Sequence, residues 1–135
     1  SGLLLLAEDE PAVRDVARRM VEAIGFRVIT AADGREALEQ LHHHQTELRA
    51  VLMDLTMPLL DGEEAFRAMH QAAPHIPVIL SSGYNEQEVS ERFSGSRPAG
   101  FIQKPYQLET LRSTLRAALA GGASPRRPGD LPPGR

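Results

Sequence analysis

Cysteine and tryptophan are absent from this 135-residue chain, and aromatic residues make up only 4% of it. Without cysteine there can be no disulfide framework, no thiol nucleophile and no thiolate metal site. No apolar run approaches the roughly 20 residues needed to span a bilayer. Leu3–Ala7 is too short for the core of a signal peptide and has no basic residue before it. A net charge of −3 and the lack of a basic stripe argue against direct nucleic-acid binding. Arg126, Arg127 and Arg135 are too few, and too broken by proline, to form a nucleic-acid arm. A cytoplasmic protein with no direct membrane contact is the expectation.

What the chain does have is an ordinary globular composition, 41% apolar and 24% charged, in a length suited to one domain. Ala50-Val51-Leu52-Met53-Asp54 is apolar up to its final acid without alternating, as in a strand covered on both faces of a parallel sheet. Thr56-Met57-Pro58 then stops the strand. Four further short segments read the same way: Leu3–Ala7, Phe26–Ala31, Val78–Ser81 and Gly100–Gln103.

Helical patterns separate them. Pro11 suits a first helical turn, with Asp9 or Glu10 placed to cap it. Val13, Val16, Ala17, Met20, Val21 and Ile24 form one stripe, which Gly25 terminates. Further helices are expected from Arg35 towards His44, over Glu63–Ala72, over the weakly amphipathic Glu86–Phe93, and along Leu108–Leu119. This alternation predicts a single α/β domain over residues 1–120, a doubly wound five-stranded parallel sheet with five helices. From Gly121 to Arg135, glycine, proline and arginine crowd the chain, which reads as a disordered tail or linker.

In such a sheet the carboxyl ends of the strands share one edge, where ligands bind. The first strand delivers Glu8 and Asp9 there, the third Asp54, the fourth Ser82, and Lys104 follows the fifth. Three carboxylates gathered in a partly dry site repel by on the order of several kcal/mol. A divalent cation relieves that repulsion, and an all-oxygen ligand set favours a hard ion such as Mg²⁺. Carboxylate, hard cation, ammonium and hydroxyl together suit phosphoryl transfer, with Asp54 as the natural nucleophile. His42-His43-His44, by contrast, are adjacent on a helix, point in different directions and cannot all chelate one ion.

Four stretches, in order and properly spaced, resemble the receiver domain of two-component response regulators over Leu3 to Ala120. They are Leu3–Glu10, Met53–Pro58 with Asp61-Gly62, Leu80–Tyr84 and Phe101–Tyr106. The wording of the last two is most similar to receivers at the C-terminus of hybrid sensor histidine kinases, with a stand-alone regulator as the alternative. The resemblance implies a flavodoxin-like fold and a signalling phosphoacceptor that assists its own phosphorylation and dephosphorylation. It implies that Asp54 accepts a phosphoryl group from a histidine on a partner, either a kinase dimerisation/phosphotransfer domain or a histidine phosphotransfer protein. Asp9, Asp54 and the backbone carbonyl of Thr56 would hold Mg²⁺, with Glu8 contributing through water. Lys104 would be the phosphate's counter-charge, ahead of a cis bond to Pro105. Ser82 would be the switch hydroxyl, followed inward by Phe101. Thr56 and Tyr84 would set the phosphoryl lifetime; neither orients water well, which implies slow self-dephosphorylation.

Two rivals remain open from the residues. A haloacid-dehalogenase-like phosphatase also uses Asp-x-Thr after a strand, with a later serine and Lys-Pro, but places its nucleophile on the first strand and further acids near the end. A receiver fold could also serve only for docking, without phosphorylation.

Overall fold

A computed structural model describes residues 2–55, 62–83 and 98–123. The strands are β1 (Leu3–Ala7), β2 (Arg27–Ala31), β3 (Leu48–Asp54), β4 (Val78–Ser82) and β5 (Gly100–Gln103). Four helices occur among the described residues: α1 (Pro11–Ile24), α2 (Gly34–His43), α3 (Gly62–Ala72) and α4 (Leu108–Ala123). The expected helix over Glu86–Phe93 lies outside the described residues, as do Thr56 and Tyr84. The last helix continues to Ala123, three residues past the expected end of the domain.

All strand pairs are parallel, in the order β2-β1-β3-β4-β5. The strands read as unbroken apolar runs because both faces are covered. Leu3, Leu5, Val51, Met53, Val78 and Leu80 join Leu41, Phe66 and Met69 in one layer, beneath α2 and α3. Leu4, Leu6, Ala50, Leu52 and Ile79 alternate into the other, with Ala17 and Val21 of α1 and Leu111 and Leu115 of α4. Leu4, Leu5 and Leu6 are completely buried, each stabilising the fold by about 1.5–3 kcal/mol. β2 and β5 close the two edges of the sheet and are correspondingly less buried.

Local signals fix the helix ends. Asp33 Oδ1 accepts the Glu36 N–H at 2.8 Å, and Glu36 Oε1 accepts the Ala32 N–H at 2.8 Å, a reciprocal arrangement that starts α2. Gly25 ends α1 at φ 126°, where a side chain would be strained. The expected cap of α1 is not made. Glu10 is the N-cap residue, but its longer side chain makes no cap hydrogen bond, and Asp9 stands one residue too early.

Candidate functional site

The strand order reverses between β1 and β3, and the crevice beyond their carboxyl ends is where an open α/β sheet receives ligands. Register does the rest. Ala7 pairs with Met53, so the next residues, Glu8 and Asp54, emerge side by side. Asp54 pairs with Ser81 across β3 and β4, and Ser82 with Gln103 across β4 and β5. The Lys104 N–H is tied to the Ser82 carbonyl at 2.8 Å. The Lys104–Pro105 bond is cis.

Carboxylate oxygens of Glu8, Asp9 and Asp54 lie within 4.8 Å of one another. Glu8 is wholly buried, Asp54 nearly so and Asp9 half-buried. Lys104 reaches into the cluster, its Nζ 2.8 Å from Glu8 Oε1 and 3.3 Å from Asp54 Oδ2. One ammonium thus serves two carboxylates. Glu8 Oε2 accepts the Glu10 N–H at 3.2 Å, while Oε1, despite its ion pair, has no aligned hydrogen-bond donor. Arg14 Nη1 donates to the Glu8 carbonyl at 2.8 Å and fixes the turn that carries both acids.

The electrostatics follow. Burial lifts the Glu8 carboxyl above the usual glutamate range; Asp54 adds to this, and Lys104 and the Glu10 N–H only partly offset it. Burial alone would lower the Lys104 ammonium, but its bond to Glu8 and the charges of Asp54 and Glu8 outweigh that and raise it. A buried acid raised in this way, beside a second buried acid, is electrostatically short of positive charge. An added cation would correct that. The unaligned Glu8 Oε1 and the all-oxygen donor set fit a hard divalent ion.

Glu8, Asp9, Asp54, Ser82 and Lys104 are at this edge, while Phe101 stands further back, opposite Leu80. Ser82 ends β4 and is 2% exposed. Phe101, on β5, is half-buried against the layer beneath α2 and α3. The histidine run is elsewhere: His42 and His43 are exposed at the end of α2, and the His43 and His44 rings lie 6.3 Å apart at 58°. Sequence reasoning missed Arg14 and a buried bond from the Tyr106 hydroxyl to Ser81 Oγ at 2.8 Å. The signal for the latter was a serine pair closing β4 and a tyrosine directly after Lys-Pro.

No helix among the described residues is long and apolar enough to cross a membrane. The family model described as response regulator receiver domain matches residues 4–116. The sensor kinase CckA of Brucella abortus is 35% identical over 119 residues, 88% of this chain and 13% of that protein. The response regulator MprA of Mycolicibacterium vanbaalenii is 34% identical over 118 residues, 86% of this chain and 49% of that protein. The crystal structure of the receiver domain of the hybrid histidine kinase CckA matches at 32% identity and a TM-score of 0.72, covering 87% of this chain and 99% of that one. A CheX-CheY-BeF3-Mg complex from Borrelia burgdorferi matches at 26% identity and a TM-score of 0.77, covering 86% of this chain and 87% of that one. The receiver reading holds over a phosphatase, since the receiver family model covers residues 4–116 and the acids that end β1 and β3 converge in one cluster. This chain belongs to the response regulator receiver domain family of two-component signalling.

Proposed function

We propose that Asp54 is the phosphoacceptor and that the strand-end cluster is built to make it accept. The observation that carries this is the Lys104 ammonium shared between Glu8 and Asp54 at the mouth of the sheet. An Asp54 carboxylate oxygen attacks the phosphorus of a partner's phosphohistidine. The new O–P bond forms as the N–P bond breaks, and the electron pair returns to the imidazole nitrogen. Lys104 then turns from its carboxylates to the phosphoryl oxygens, to which its charge is better matched.

Asp9, Asp54 and the Thr56 carbonyl are the ligands assigned to Mg²⁺, with Glu8 acting through water. Mg²⁺ would neutralise charge shared between the carboxylates and the phosphoryl oxygens. Ser82 donates its hydroxyl to the phosphoryl group and Phe101, already half-buried beside it, follows inward. That is a packing switch biased by a local charge. Thr56 and Tyr84 favour a long-lived phosphoryl group.

The partner is a histidine kinase phosphotransfer domain or a histidine phosphotransfer protein. A mainly apolar hollow of about 440 Å³ beside the site, lined by Ala12, Val13 and Val16 of α1 and by Lys104, Pro105 and Tyr106, supports docking of a partner helix. The parent assembly is a hybrid sensor kinase, on the likeness to the CckA receiver. A cytoplasmic site of action goes with that assembly.

Incubation with acetyl phosphate and Mg²⁺ tests the acceptor, read as the mass of one added phosphoryl group. Wild type should gain it and Asp54→Asn should not. Equal labelling of the two would refute the assignment; no labelling of wild type would favour a docking module instead.

A further inference from the structure

Ser81 and Tyr106 face the layer beneath α1 and α4, on the other side of the sheet from Phe101. By strand alternation Ser82 shares the Phe101 side. Ser81 is completely buried and Tyr106 is 8% exposed. The core does not require either hydroxyl. Phenylalanine and alanine in their places would sit well against Ile79, Ile102 and Leu111. What the bond joins is more telling. Ser81 stands opposite Asp54 in the register, and its carbonyl accepts the Leu55 N–H at 2.8 Å. Tyr106 lies two residues beyond Lys104. Lys104 is therefore fastened to β4 twice, by its own N–H to the Ser82 carbonyl and, past Pro105, by the Tyr106 hydroxyl to Ser81 Oγ at 2.8 Å.

We infer that Tyr106 and Ser81 are positioning residues for phosphoryl acceptance: their hydroxyl–hydroxyl bond holds the Lys104–Pro105 bend against β4, so that the Lys104 ammonium faces Asp54. The inference rests on Asp54 as acceptor and Lys104 as its counter-charge. Because the bond lies on the face opposite Phe101, it stays made while the Ser82–Phe101 side rearranges. It is thus a fixed wall against which the switch side moves. Catalysis by charge placement is sensitive to such supports, since a misplacement of about 1 Å can lower a rate roughly a hundredfold.

The test is the rate of labelling by saturating acetyl phosphate at saturating Mg²⁺, well below the melting temperature. Tyr106→Phe and Ser81→Ala should each lower that rate about tenfold, and the double variant no further, because both remove one bond. Mg²⁺ affinity, read by calorimetry, should stay within about twofold of wild type, since the acid cluster is intact. In a Lys104→Ala background Tyr106→Phe should change the rate by less than about twofold, because it acts through Lys104. An unchanged rate in Tyr106→Phe overturns the inference. So does a loss that persists undiminished without Lys104, or an equal loss of Mg²⁺ affinity; a purely structural role would give one of these. If wild type takes no phosphoryl group, or Lys104→Ala labels as fast as wild type, the site assignment itself fails and takes the inference with it.

Discussion

Lys104 Nζ lies 2.8 Å from Glu8 Oε1, an ion pair in which the carboxylate is wholly buried and the ammonium is one-fifth exposed. The pair is unequal in what it leaves behind. Removing the lysine leaves the buried Glu8 carboxylate without its cation, whereas removing the glutamate leaves the lysine still 3.3 Å from Asp54 Oδ2.

Lys104→Met should therefore destabilise the metal-free protein by about 1–3 kcal/mol, the range for a buried polar group left without its partner. Urea denaturation at neutral pH with a chelator present measures it. A midpoint equal to wild type would mean that the pair contributes nothing net.

Glu8 should make metal-free stability fall with rising pH. Its carboxyl is raised by burial above its unfolded value, about 4.3. The folded state then holds that proton more tightly than the unfolded chain does. The contribution is fully present below the unfolded value and is lost as pH rises through the folded one. Glu8→Gln removes this loss. With a chelator present, the melting temperature of wild type should drop relative to Glu8→Gln as pH rises above the unfolded glutamate value. A difference that does not change with pH would show that Glu8 ionises in the fold as it does in the unfolded chain.

Much of this arrangement was legible from residues alone, for a physical reason. Apolar runs ending in Asp54 or in Glu8-Asp9 mark both the strand and the end at which polar groups must emerge, so the acid cluster follows once the strands are parallel. The Lys104 contacts and the Asp33 turn were readable in kind; the paired bonds, Glu36 N–H to Asp33 and Ala32 N–H to Glu36, needed geometry. Asp9 and Glu10 misled in the opposite sense. Aspartate favours caps, but Asp9 belongs to the acid cluster, and Glu10, at the cap position with a longer side chain, makes no cap bond. The Tyr106–Ser81 bond spans 25 residues; the serine pair and the tyrosine after Lys-Pro were visible, but which serine faces the tyrosine depends on strand register.

Tyr106 should impose an alkaline limit on stability. Burial pushes its hydroxyl up to about 12, with the bond to Ser81 only partly opposing. The folded state keeps the proton that the unfolded chain loses near pH 10. Stability is thus full below about pH 10 and declines by up to about 1.4 kcal/mol per pH unit as the folded value is approached. Lys104, also raised, acts in the same sense. Tyr106→Phe should flatten the decline between about pH 10 and pH 11.5, as followed by urea midpoints. An identical decline in the variant would assign it to other groups.

The phosphorylated protein should be long-lived. Neither the Thr56 hydroxyl nor the Tyr84 ring is a carboxamide or carboxylate that could hold attacking water in line with the phosphorus. After removal of the donor, the phosphoryl group should decay over minutes or longer, followed by intact mass. Thr56→Asn should shorten the lifetime, because a carboxamide can orient water. Decay of wild type within seconds would remove these two positions from the account.

Magnesium should stabilise the fold by relieving the same repulsion that lifts Glu8. Oxygens of three acids within 4.8 Å need more positive charge than one shared ammonium supplies. A ligand bound by the native state alone adds about 2.7 kcal/mol at a hundred times its dissociation constant. For a domain of this size that is a rise in melting temperature of roughly 5–15 °C. Sodium chloride at matched ionic strength should give much less, since buried charges are poorly screened by salt. Asp9→Asn should remove most of the rise while leaving the Lys104 contacts to Glu8 and Asp54 in place. That separates binding at the acid cluster from any general effect of salt on the surface. A magnesium response no larger than that of sodium, or undiminished in Asp9→Asn, would show that the three carboxylates do not act together on a cation.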